Sequence, residues 1–81
     1  MEDSNGYDIK KIKGLPPEEA IPLIDRLASD FPEDDELWVL RGQKLWKLNR
    51  RREAINDYLK AISINPESRA VVLLEYAQSI N

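Results

Sequence analysis

The protein has 81 residues, 42% of them hydrophobic and 33% charged, with a formal net charge of -3, a composition that suits one small globular unit with a thin core. It contains neither cysteine nor histidine, which excludes disulfides, thiolate or ordinary zinc sites, cysteine nucleophiles and histidine-based hydrolytic triads. The slightly acidic balance argues against general affinity for nucleic acid or anionic membranes.

The amino terminus, "MEDSNGYDIKKIK", carries acidic residues where a secretory signal needs positive charge, and no apolar core follows them. No run approaches the roughly 20 apolar residues of a membrane span. The expectation is a cytoplasmic protein with no membrane contact. The first predicted helix covers residues 7–13 and stops at Gly14, a residue that takes positive φ without cost. "LPPEEAI" then opens a second helix, with prolines where the first turn tolerates a missing N–H and glutamates where the helix dipole favours them. That helix runs to about Asp30, with Ile21, Ile24, Leu27 and Ala28 on one stripe, although Pro22 inside it removes a backbone hydrogen bond.

"DFPEDDE" breaks the chain at Pro32 and supplies acidic residues for a third helix over 36–48. "NRRRE" is a turn into a fourth helix over 52–64, whose Ala54, Ile55, Tyr58, Ala61 and Ile62 form an inward stripe. "NPES" ends it and starts a fifth over 68–80. With no comparable alternation of strand type, the fold class is all-α, five helices in antiparallel pairs joined by short turns.

An internal repeat supports this. Sliding the sequence by 34 residues places Glu19, Ala20, Ile21, Ser29, Pro32 and Glu33 on Glu53, Ala54, Ile55, Ser63, Pro66 and Glu67. Small, apolar and helix-stopping residues recur where a helix needs each of them.

Residues Trp38, Gly42 and Leu45, then Ala54, Tyr58 and Ala61, then Pro66 make the chain resemble the tetratricopeptide repeat (TPR) family, whose repeat of 34 residues carries Trp, Gly and an aromatic, then Ala and an aromatic, then Pro. Arg41 and Leu45 depart from the pattern, standing at the positions where the family has leucine and an aromatic residue. The resemblance implies a short right-handed solenoid in one domain spanning 1–81. In it, 1–34 is a degenerate first repeat, 35–68 a complete one, and 69–81 the first helix of a third repeat or a capping helix. Helix five, with Val71, Val72, Leu73, Leu74, Tyr76, Ala77 and Ile80, is apolar nearly all round. Such a helix needs further cover, from more chain or from another molecule.

In the TPR family the first helix of each repeat lines a concave groove for peptides or helices. By position match that groove would here be lined by Glu36, Val39, Leu40, Gln43, Trp46 and Lys47, continued by Ala70, Leu73, Leu74 and Ala77. Trp46 has two readings at this level: a cover over neighbouring helices, or a groove residue projecting about 80° away from Trp38 on the same helix. The carboxylate clamp of some family members uses Lys, Arg and Asn, of which only Lys47 and the neutral donor Gln43 offer counterparts here, and Glu36 has the wrong sign.

The remaining charge clusters have plain explanations. "DFPEDDE" lacks the glycine and spaced oxygens of a calcium loop and reads as a helix start. Neighbouring carboxylates such as Glu18 and Glu19, or Asp34 and Asp35, diverge on a helix instead of converging on a substrate, so no enzyme activity, cofactor or metal is expected. The expected function is therefore non-catalytic binding of an unknown protein or peptide in an apolar groove. The alternative is homodimerisation through the same surface, and a third reading is a nucleic-acid adaptor using Arg50, Arg51 and Arg52.

Overall fold

A computed structural model describes residues 8–80 of the chain. They fold into five helices, α1 (Ile9–Gly14), α2 (Pro17–Asp30), α3 (Asp35–Lys47), α4 (Arg51–Ile64) and α5 (Ala70–Ser79), and no strand occurs among the described residues. The fold is all-α, as the spacing of apolar and turn residues predicts. Each helix packs mainly on its neighbours in the chain, and the α3–α4 pair makes the largest contact.

The helix ends follow local chemistry. The Asp8 carboxylate accepts from the Lys11 N–H at 3.2 Å and starts α1; the predicted start at Tyr7 lies outside the described residues. Gly14 is the last residue of α1 and keeps an ordinary φ, so the expected left-handed glycine cap does not form. Instead the Lys44 ammonium of α3 reaches across to the Lys13 and Leu15 carbonyls at 2.8 and 2.7 Å, satisfying acceptors that the helix end leaves open. Pro17 occupies the first turn of α2, and that helix continues through Pro22, whose side chain is exposed. Tertiary packing of Ala20, Ile24 and Ala28, all buried, outweighs the one missing backbone bond.

The Asp34 carboxylate accepts from the Glu36 N–H and opens α3, the role its acidic run suggested. Among the described residues no cluster of carboxylates is arranged to hold a metal ion. The α3–α4 turn is a Schellman motif: the Arg50 N–H donates to the Leu45 carbonyl at 3.0 Å and the Asn49 N–H to the Trp46 carbonyl at 2.9 Å. It requires Asn49 in the left-handed region, at φ 64°. Asn49→Gly is therefore expected to raise stability by about 0.5 kcal/mol, and Asn49→Val to lower it by about 1–2 kcal/mol, in urea denaturation.

The fifth helix begins at Ala70, two residues later than predicted from sequence. The Asn65 and Ser68 side chains accept from the Glu67 and Ala70 N–H groups, holding the intervening residues in turns.

Two linked clusters form the core. One joins Ile12, Ala20, Ile24, Ala28, Leu37 and Leu40. The other joins Val39, Leu45, Ala54, Tyr58, Ala61 and Ala70, and Trp38 packs against both. Gly42 lets α3 and α4 approach: a β-carbon there would lie 2.5 and 2.8 Å from the Tyr58 ring and 3.2 Å from the Ala54 carbonyl oxygen. An arginine locks the stack from its side. Arg41 of α3 donates to Asp25 of α2 at 2.7 Å and to both carboxylate oxygens of Asp57 in α4 at 3.0 and 2.8 Å.

Candidate functional site: an aromatic hollow between α3 and α5

The last turns of α3 and the middle of α5 leave a hollow of about 220 Å³, lined by Gln43, Trp46, Lys47, Tyr58, Leu73, Tyr76 and Ala77. Residues three and four apart on one helix share a face, which is why Gln43, Trp46 and Lys47 line it from α3 and Leu73, Tyr76 and Ala77 from α5. Tyr58 reaches its floor from α4.

Trp46 is the centre of this surface. It packs partly against the second core cluster, its ring lies 6.3 Å from that of Tyr76 at an angle of 57°, and the Arg51 guanidinium sits 5.0 Å above it. The tilted ring pair and the stacked cation hold the indole in place from two sides. The two readings of Trp46 thus meet in one side chain, which covers the helix pair and also lines the hollow.

The residues expected to line a groove divide into two groups. Gln43, Trp46, Lys47, Leu73 and Ala77 come together at the hollow. Val39 and Ala70 are wholly buried, and Leu40 is buried at 1% exposure, so these side chains belong to the core. Leu74 is half-buried against the second cluster and does not line the hollow. Glu36 forms an ion pair with Arg69 at the start of α5. Tyr76, 59% exposed, is a lining residue the sequence reading left out. Its signal was its place three residues after Leu73 on an apolar helix, but a helix apolar all round gives no means of choosing a face.

A second hollow, of about 200 Å³, adjoins the first and shares Gln43 and Lys47 with it; Lys13, Leu40 and Lys44 complete its lining. Burial, and then the nearby charge of Lys47, lower the pKa of Lys44.

Of the arginines of the α3–α4 turn, Arg51 and Arg52 line a further hollow together with Ile55 and Asn56. Arg50 pairs with Glu53 in an exposed contact, and Arg51 lies over Trp46. Exposed pairs of this kind contribute little to stability. Val72 and Tyr76 on α5 and Ile80 just after its end are 67%, 59% and 44% exposed and follow one another at intervals of four residues, leaving an exposed apolar stripe. No helix among the described residues is long and apolar enough to cross a membrane.

Comparison with protein-family models, with curated proteins and with solved structures gives no match to this chain.

Proposed function

We propose that this chain is a non-catalytic protein-binding module that takes a peptide or helix of its partner into the hollow between α3 and α5. The observation that carries the reading is the half-buried Trp46 beside the exposed Tyr76, at the wall of an open apolar hollow. Aromatic anchors held in fixed orientation supply binding area at little entropic cost and dominate many interfaces. The repeat of Glu19 to Glu33 in Glu53 to Glu67, and the resemblance of residues 35–68 to a TPR, support the same reading, because helical repeats present such concave surfaces.

The test is selection from a library of random linear peptides displayed on phage, with the immobilised protein as bait. Enrichment of defined sequences is expected, and Trp46→Ala should weaken the selected peptides by tenfold or more, about 1.4 kcal/mol. Because Trp46 also packs on the core, Tyr76→Ala is the companion variant: its side chain is mostly exposed, so it should reduce binding while the melting temperature stays nearly constant. Enrichment unaffected by either substitution would place binding elsewhere.

The exposed stripe of Val72, Tyr76 and Ile80 favours a second reading, self-association through α5. Sedimentation across a wide concentration range decides it. A species that stays monomeric throughout removes the dimer.

A further inference from the structure

The two adjoining hollows differ in chemistry. The first is walled by Trp46, Tyr76 and Leu73; the second is lined by Lys13, Lys44 and Lys47. Gln43 and Lys47, one turn apart on α3, form the wall common to both. Among the described residues none of these lysines joins an ion pair: the salt bridges connect Arg41 with Asp25 and Asp57, Arg50 with Glu53, and Arg69 with Glu36. Lys44 spends two of its three donors on the Lys13 and Leu15 carbonyls. The hollow therefore concentrates uncompensated positive charge on a chain whose net charge is -3.

We infer that the partner segment is acidic as well as apolar: a bulky apolar side chain enters the Trp46–Tyr76 hollow, and an adjacent Asp or Glu carboxylate lies against Lys13 and Lys47. This deepens the peptide-binding reading above and rests on it. A carboxylate brought beside ammonium groups that have no carboxylate partner gains charge-assisted hydrogen bonds, and a cationic side chain at the same place meets like charge. Because both hollows flank the same turn of α3, the anchor and the acid belong to residues that are neighbours in the partner, or one helical turn apart. Arg51 over the Trp46 ring strengthens the same preference, since it leaves the aromatic wall unsuited to a cationic guest.

The same displayed random library tests this through residue preference. Peptides selected by the unaltered protein are expected to combine an aromatic residue or leucine with Asp or Glu within one turn, and their synthetic copies with Gln or Asn at the acidic positions should bind about tenfold more weakly at low salt, with a smaller difference at high salt. The doubly reversed protein, Lys13→Glu with Lys47→Glu, should keep the apolar preference and select Lys or Arg in place of the acid. Both side chains are exposed, so the reversal leaves the core intact, and circular dichroism and thermal melting check this. Lys10→Glu, on α1 but outside the hollow, is the control and should leave the preference unchanged. Selection of apolar anchors with no acidic preference, or a preference that survives the double reversal, overturns this inference and leaves the peptide-binding reading in place. Selection of no sequence at all overturns both. Enrichment of acidic stretches that copy residues 30–36 of this chain would identify a second copy as the occupant and overturn the assignment to a different partner.

Discussion

Arg41→Leu should destabilise the fold by about 3–5 kcal/mol at pH 7, the usual cost of leaving a buried ion without its partner. Leucine is the residue that the repeat pattern favours at this position, so a reading by pattern alone would expect improvement. The geometry reverses that expectation. The Asp57 side chain is 7% exposed and receives both of its hydrogen bonds from Arg41, whereas the other partner, Asp25, is 53% exposed and can return to water. Removing the guanidinium therefore strands one carboxylate and not the other. Replacing Asp57 as well should recover most of the loss: Arg41→Leu with Asp57→Asn is expected to lie within about 1–2 kcal/mol of the unaltered protein, because the buried charge leaves with its partner. Urea denaturation of both variants measures the coupling, and a double variant as unstable as the single one would show that Arg41 acts mainly through packing.

The same pair sets a pH dependence with a definite sign. Burial, opposed by the charge and hydrogen bonds of Arg41, pushes the Asp57 carboxyl up from 3.8 to about 6, with Asp25 and Glu53 pushing in the same direction. The folded chain thus holds the Asp57 proton more tightly than the unfolded one. Stability from this group is fully present below the unfolded value of 3.8 and is lost as pH rises through about 6. Without Arg41 the carboxyl is harder still to ionise. The penalty of Arg41→Leu should then shrink as the solution is acidified from pH 7 toward pH 4, about the unfolded carboxyl value, since a protonated Asp57 needs no counter-charge. Asp57→Asn alone should flatten the dependence over this range, measured as denaturation midpoint against pH.

Helical architecture was written in local chemistry, and long-range polar contacts mostly were not. Pro17, Asp34 and the glutamates of α2 mark helix starts by rules that need only neighbouring residues. Ala54, Tyr58 and Ala61 fall on one stripe whatever they face. Gly14 misled because a glycine at a helix end suggests a left-handed cap, while the acceptors there are bonded by Lys44, about thirty positions away, through carbonyls that leave no trace in side-chain identity. Arg41 looked like a departure from an apolar pattern. Its partners stand 16 positions before and after it, Asp25 and Asp57. Asp57, beside the inward stripe of α4, was the signal available, since a carboxylate facing a core asks for a cation on the opposing helix. The hollow was legible from α3, where turn spacing places Gln43, Trp46 and Lys47 together, and illegible from α5, where only packing decides that Leu73 and Tyr76 line it while Leu74 turns inward.

Gly42 shows how little volume separates this packing from failure, and Gly42→Val should cost about 3 kcal/mol or more. Two effects compete. Glycine inside a helix costs about 1 kcal/mol relative to alanine, so alanine first recovers that amount and valine, restricted at χ1, only part of it. Against it stands the absence of space: even a single β-carbon meets the Tyr58 ring at 2.5 Å, and the Ala54 carbonyl oxygen at 3.2 Å closes the other side. Tyr58 is 3% exposed, so its ring can give way only toward the hollow whose floor it forms. Overpacking by one methyl costs about 1–3 kcal/mol, which leaves Gly42→Ala between neutral and about 2 kcal/mol destabilising; valine adds two methyl groups and a restricted χ1 to the same clash. Shrinking the opposing residue separates steric from other causes. Tyr58→Leu should lower stability on its own by removing ring contacts, yet Gly42→Ala should cost less in that background than in the unaltered protein, with a coupling of about 1 kcal/mol or more. Additive losses in denaturation would mean that the clash is relieved by a shift of the whole α4 helix, and the hollow beside Tyr58 would then change shape with it. Peptide binding to the Gly42→Ala protein reads that shift directly, because Tyr58 is both the stop against Gly42 and part of the floor beneath Trp46.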